Sequence, residues 1–228
     1  MNYWSAISHA CRDEVWKCAA CFEYYAHELK HPGGMGRESL RTESTSKCAG
    51  RLMRLGILSD THDALARTHV AVQLLRDAGA EAVIHCGDLA SPPIAAACAV
   101  LPFWFVLGNH DADKVPALEQ AAREMGAVCL GWAGQVELQG RLIAVAHGHM
   151  SYDLRRVLAA RPHYLLTGHS HLASDRREGL VRRINPGAVH EADRLSVALL
   201  DLEEDEVQFL ELPSHGSSEH THGQARPE

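Results

Sequence analysis

A chain of 228 residues with 46% hydrophobic content can bury one substantial core plus appendages. Its formal charge of −7 argues against a general nucleic-acid or membrane-surface binder, and no apolar run reaches membrane-spanning length. Seven cysteines without framework spacing, and a start at Met1 to Ser8 that lacks the basic and apolar parts of a secretory leader, predict reduced thiols and a cytoplasmic setting.

Residues 1–52 differ in character from the rest of the chain. Aromatic residues such as Trp4, Trp16 and Phe22 are scattered without a period, Pro32-Gly33-Gly34 breaks any helix, and Arg37 to Lys47 is linker-like. Cys18 and Cys21 form a Cys-x-x-Cys pair without a properly spaced second pair for zinc. The segment is expected to be a poorly ordered, dispensable extension.

A domain is predicted over residues 53–212. Leu55, Ile57 and Leu58 make a first strand that stops at Asp60-Thr61-His62. Leu65, Thr68, Val72 and Leu75 step by three, four and three along a helix ending at Gly79. Ala82–Cys86 is a second strand running into Gly87-Asp88, and Pro92-Pro93 opens a short Ala-rich helix. Phe103–Leu107 is a third strand running into Gly108-Asn109-His110-Asp111. Val115, Leu118, Ala122 and Met125 mark another helix, closed by Gly126.

The second half is richer in strands. Gln135–Leu138 and Arg141–Ala146 read as a hairpin turning at Gln139-Gly140, its second strand ending in His147-Gly148-His149. Leu154, Val157 and Leu158 mark a helix stopped by Pro162. His163–Thr167 is a strand ending in Gly168-His169-Ser170-His171. Val181–Ile184 leads to a turn at Asn185-Pro186-Gly187. Ser196–Leu202 and Glu206–Leu212 close the domain, and the polar tail, residues 213–228, is expected to be disordered, with His215, His220 and His222 solvated. Cys86, Cys98 and Cys129 sit in apolar contexts and read as small core residues.

The strand ends therefore carry Asp60/His62, Asp88, Asn109/His110, His147/His149 and His169/His171. Any one cluster is more simply a turn, a helix cap or a pair of solvated histidines. Five in succession would place oxygen and nitrogen ligands along one sheet edge, where open α/β sheets bind ligands. The ligand number suits two divalent cations, with the central Asp88 bridging them. A donor set without thiolate favours Mn, Fe, Ni or Zn over a structural zinc site.

In order, Asp60-x-His62, Gly87-Asp88, Gly108-Asn109-His110-Asp111, His147-Gly-His149 and Gly168-His169-Ser170-His171 resemble the calcineurin-like metallophosphoesterase superfamily. The short length and Asn185-Pro186-Gly187-Ala188 resemble its compact branch of bacterial and archaeal phosphodiesterases, related to the retromer scaffold subunit. The resemblance implies an α/β fold, a four-layer αββα sandwich of the metallophosphoesterase type. It implies one cation held by Asp60, His62, Asp88 and His171, and another by Asp88, Asn109, His147 and His169. Manganese is the first expectation, with nickel, iron or zinc as alternatives. It further implies a small phosphodiester hydrolysed by metal-activated hydroxide, with His110 as leaving-group acid and His149 in the outer shell or facing substrate.

Leu89-Ala90-Ser91 follow Asp88, so the second Asp that larger phosphatases pair with this His is missing. The rival readings are a phosphomonoesterase or nucleotide phosphatase and a non-catalytic scaffold. A nuclease acting on duplex DNA is disfavoured, because residues 53–212 carry 14 Arg/Lys against 21 Asp/Glu. The substrate within these classes, and whether copies of the chain assemble into a homo-oligomer, stay open.

Overall fold

The computed structural model describes residues 53–213. The predicted N-terminal extension and the tail lie outside the described residues, apart from Pro213. Among the described residues, eleven strands and four helices follow one another as β1 (Arg54–Leu58), α1 (Leu65–Asp77), β2 (Ala82–His85), α2 (Pro92–Cys98), β3 (Phe103–Phe105), α3 (Val115–Met125), β4 (Val128–Cys129), β5 (Ala133–Leu138), β6 (Arg141–Ala146), α4 (Ser151–Leu158), β7 (Tyr164–Leu166), β8 (Ser174–Glu178), β9 (Val181–Asn185), β10 (Ser196–Asp201) and β11 (Glu206–Glu211).

They build two sheets. The first runs β11-β10-β1-β2-β3-β4, and the second β5-β6-β7-β9-β8. Strands β1 to β4 are mutually parallel, joined through α1, α2 and α3, while β10 and β11 extend the sheet antiparallel. In the second sheet β6, β7 and β9 are parallel, with antiparallel strands at both edges.

The apolar runs of β1 to β3 carry no polar alternation because both faces of that sheet are covered. Leu55, Ile57, Ile84 and Trp104 turn to the second sheet, where they meet Val136, Ile143, Val145, Leu166 and Ile184. Val83, Phe103 and Phe105 turn the other way, onto Val72, Leu75, Ile94 and Leu118 of the helices. The outer face of the second sheet buries Ala144, Ala146 and Leu165 under Val157 of α4. Each large side chain so buried contributes about 1.5–3 kcal/mol. The result is four layers, αββα, as expected. Cys86 and Cys98 are fully buried free thiols and Cys129 is partly buried.

Local rules account for the connections. Gln139 (φ 50°) and Gly140 (φ 69°) are both left-handed, the signature of a type I′ turn, so β5 and β6 close as the predicted hairpin. Gly126 ends α3 in the left-handed conformation (φ 71°). The α1 face buries Thr68, Ala71, Val72 and Leu75, whereas the predicted Leu65 is 38% exposed. Sequence periodicity also missed β4, which is two residues long, and β8. The latter reads Ser-Asp-Arg-Arg-Glu, is mostly exposed and pairs along one side only. Its charges suit an edge strand and leave no apolar signal.

At the end where β10 runs out beside the start of β1, the sheets are tied by polar groups. Arg182 on β9 donates to Asp205 (2.7 Å) and Asp175 (2.6 Å), and the Tyr164 hydroxyl donates to Asp205 (2.8 Å). The opposite end, at the carboxyl termini of β1, β2, β3, β6 and β7, holds the clustered ligands. Among the described residues no helix is long and apolar enough to cross a membrane.

Candidate metal centre

The loop leaving β1 is stitched to the loop leaving β2. The N–H groups of Asp60, Thr61, His62 and Asp63 donate to the carbonyls of Gly87, Asp88, Asp88 and Leu89. Asp60 (φ 55°), His62 (φ 42°), Asp88 (φ 59°), His169 (φ 67°) and His171 (φ 58°) all adopt the left-handed region, which costs a non-glycine residue about 1 kcal/mol or more. Five of the seven predicted ligands share this strain, so the surrounding bonds are holding a conformation that turn propensity alone would not choose. Close approach explains two glycines. A Cβ on Gly108 would stand 2.1 Å from Asp88 Oδ1, and one on Gly168 would stand 1.9 Å from Ser59 Oγ.

Asp60 is fully buried, and its Oδ1 lies 3.2 Å from His171 Nε2 and 3.9 Å from both His62 Nε2 and His147 Nε2. Asp88 Oδ2 lies 3.1 Å from His147 Nε2 and 3.8 Å from His62 Nε2, while Oδ1 accepts the His110 N–H at 2.8 Å. Asn109 Oδ1 is 3.1 Å from the same His147 nitrogen. Three groups of donor atoms converge: Asp60 with His62 and His171, His62 with Asp88 and His110, and Asp60 with Asp88 and His147. Asp60 therefore sits between the two halves of the cluster, as Asp88 does. His169 stands beside His147, ring centres 5.1 Å apart, outside the three convergent groups, and its N–H holds Asp60 Oδ2. His149 is half-buried, with its ring 5.4 Å from His147 and its Nδ1 unpartnered.

This arrangement fits divalent cations. His147 Nδ1–H donates to the Cys86 carbonyl (2.8 Å), and His171 Nδ1–H donates to the Glu191 carbonyl (2.8 Å). Both rings thus turn an Nε2 lone pair inward. The inward nitrogens of His62 and His171 face each other at 3.5 Å, and Asp60 Oδ1 is buried without a hydrogen-bond donor. Converging lone pairs with an orphaned buried carboxylate oxygen are the arrangement a bound cation satisfies. The field already favours it. Burial opposes the charge on Asp88, but His147 and the other neighbours outweigh it and hold the carboxyl down at about 2. Burial acts to lower His147 as well, and the Asp88 and Asp60 carboxylates more than reverse it. His62 stays low because burial dominates.

Three supporting features escaped sequence reading. Asp111 is fully buried and accepts N–H bonds from Asp88 (2.9 Å), Leu89 (3.3 Å), Ala90 (2.7 Å) and Gly108 (2.8 Å). In the sequence it stood only as the last residue of Gly108-Asn109-His110-Asp111, with no role of its own. Arg67 of α1 donates to His190 Nδ1 (2.7 Å), setting a guanidinium–imidazole pair beside His62, whose ring is 6.4 Å from that of His190. His85 lay hidden inside an apolar strand.

His85 closes a chain of bonds. Gly87 N–H donates to Nδ1 (3.1 Å), Nε2–H donates to Thr61 Oγ1 (3.1 Å), and the Thr61 hydroxyl donates to the Asp88 carbonyl (3.2 Å). Only the neutral ring fits, and burial, reinforced by His147, presses its pKa from the ordinary 6.5 to about 3. The unfolded chain takes up this proton below pH 6.5 and the folded chain does not. Stability is therefore full above 6.5 and falls as the pH drops towards 3. Urea unfolding in chelator should show a loss of about 2 kcal/mol between pH 7 and 5 from this group. His85→Gln should flatten that slope; an unchanged slope would place the acid sensitivity elsewhere.

Carboxylates and imidazoles converging at the carboxyl edges of an αββα sandwich define a metal-binding phosphoesterase scaffold. Residues 53–205 match the calcineurin-like phosphoesterase superfamily domain, and the chain belongs to that superfamily. It is similar to Phosphodiesterase MJ0936 of Methanocaldococcus jannaschii, 28% identical over 138 residues that cover 59% of this chain and 83% of that protein. Among solved structures it resembles an archaeal phosphodiesterase, with a TM-score of 0.64 and 26% identity over 70% of this chain and all of that one. Its fold is also that of a Vps29 variant from Entamoeba histolytica, with a TM-score of 0.50 and 16% identity over 71% of this chain and all of that one.

Proposed function

We propose that this protein is a phosphodiesterase that uses two divalent cations to hydrolyse a small phosphodiester. The observation that carries the reading is the convergence of Asp60, His62, Asp88, His147 and His171, with Asp60 Oδ1 buried and unpartnered. Every ligand position of the family pattern holds a competent donor, which favours an enzyme over a scaffold. Asp60, His62, Asp88 and His171 would hold one ion, and Asp88, Asn109, His147 and His169 the other. When bound, the ions neutralise charge on the phosphoryl oxygens and make a water acidic enough to ionise near neutral pH.

The remaining work falls to side chains. His110 is exposed, its ring packed edge-on against His62 at 4.8 Å, and its N–H anchors it to Asp88. There it can give its proton to the leaving oxygen as the phosphorus–oxygen bond breaks. Asp111 does not assist, because its carboxylate is turned into backbone N–H groups. Buried Asp111 instead ties the loop after β2 to the loop after β3, and His149 lines the second-ion side.

Chelated, then Mn-, Ni-, Fe- or Zn-reconstituted protein should hydrolyse bis(p-nitrophenyl) phosphate faster than p-nitrophenyl phosphate. Faster monoester turnover would make it a phosphomonoesterase, and none with any ion would overturn the enzyme reading. His110→Ala should slow alkyl esters, with poor leaving groups, by about 10²–10³-fold and nitrophenyl esters far less. Equal slowing would leave His110 a charge-stabilising role only.

A further inference from the structure

Beside His171 the surface opens into a groove of about 890 Å³ that reaches the hairpin of β10 and β11. Its lining includes apolar Leu172, Ala173 and Phe209 together with the carboxylates of Glu191, Asp193 and Glu211. Leu172 is 70% exposed although it directly follows a ligand, and Phe209 is 37% exposed. Together with Ala173 they give the groove an apolar wall beside a polar centre. Arg194 is the Arg or Lys among the described lining residues, and it is paired with Glu211. Three carboxylates against one guanidinium leave the groove negative, hostile to a further phosphate or carboxylate.

We propose that this groove seats the retained ester arm of the substrate, and that the arm is an uncharged group with an aromatic or apolar face. The inference rests on the phosphodiesterase reading. The His62 ring is 4.8 Å from that of His110 and 5.4 Å from that of His171, so the proposed leaving oxygen at His110 and the groove beside His171 lie around the same ligand. The arm that stays on phosphorus is the one directed into the groove. A volume of this size takes a ring system with its sugar or alkyl spacer, as small-molecule sites of several hundred Å³ do. The carboxylates then act as a filter. An arm bearing its own negative charge faces Glu191 and Asp193 with no free guanidinium to receive it.

The test uses the full chain reconstituted with its active ion and p-nitrophenyl phosphodiesters whose second arm is methyl, phenyl or 4-carboxyphenyl. All three share one leaving group, so His110 contributes alike. Phenyl should exceed methyl in kcat/KM by roughly tenfold, and 4-carboxyphenyl should fall several-fold below phenyl. Leu172→Asp should collapse the phenyl-to-methyl ratio towards that of the uncatalysed esters, with an unchanged melting temperature because the site is exposed. The double variant Glu191→Gln/Asp193→Asn should restore the 4-carboxyphenyl ester. Turnover without arm preference, or a preference that Leu172→Asp leaves intact, overturns the groove assignment alone. No turnover of any of the esters overturns the phosphodiesterase reading and the groove with it.

Discussion

Asp88→Asn is expected to abolish phosphoester turnover, with a fall in kcat of about a thousandfold or more, and to lower the bound metal count while the fold persists. The substitution is isosteric, so Oδ1 still accepts the His110 N–H and the loop keeps its shape. What disappears is the charge and one lone-pair oxygen between His62 and His147. A cation lost from such a site removes several kcal/mol of transition-state stabilisation, and about 4 kcal/mol corresponds to roughly a thousandfold. Circular dichroism and metal analysis should accompany the kinetics. A variant that keeps near-native turnover with two ions per chain would end the bridging assignment for Asp88.

Asp111→Ala is expected to unfold the centre from behind. Four N–H groups converge on this carboxylate, three buried and that of Ala90 partly so, and two come from residues in the left-handed region, Asp88 (φ 59°) and Ala90 (φ 71°). Successive N–H groups in this geometry make an anion-binding nest. Burial pushes the Asp111 carboxyl up while these bonds pull it back. The bonds are worth most with the ionised form. Truncation strands the donors at a cost of about 3–5 kcal/mol, a drop of roughly 10 °C in melting temperature for a domain this size. Asp111→Asn should fall between, since it keeps one acceptor. Metal affinity should drop in both, because the nest fixes Asp88. A melting temperature within about 2 °C of the parent would show that water or other groups satisfy the donors.

Much of this was legible because ligands sit where apolar runs end. Apolar runs located β1, β2, β3, β6 and β7, helical periods located α1, α3 and α4, Pro92-Pro93 located α2, and the strand ends delivered Asp60, Asp88, Asn109, His147 and His169 in order. Strand β8 stayed invisible because an edge strand with charged side chains has nothing to bury. Asp111, His85 and the Arg67–His190 pair stayed invisible for another reason. Their roles arise chiefly from partners 21 to 24 residues away, or 123 in the case of Arg67, and from backbone N–H groups that carry no sequence mark. Likewise, Leu65 fitted the helical period but stands at the first position of α1, where it is 38% exposed.

The centre lies across the seam between the two sheets. Asp60 Oδ2 receives the N–H of His169, and His62 faces His171, in each case across 109 residues of chain. An unfolded chain must close that whole span before a cation meets both halves of its coordination shell, a slow and entropically costly event. The full set of converging donors would therefore assemble late, after the sandwich has docked, because His147, His169 and His171 come from the second half of the chain. Ions held by residues of both halves would rivet β1 and β2 to β6 and β7, so metal availability would set how long a mature molecule resists opening as much as how fast it works.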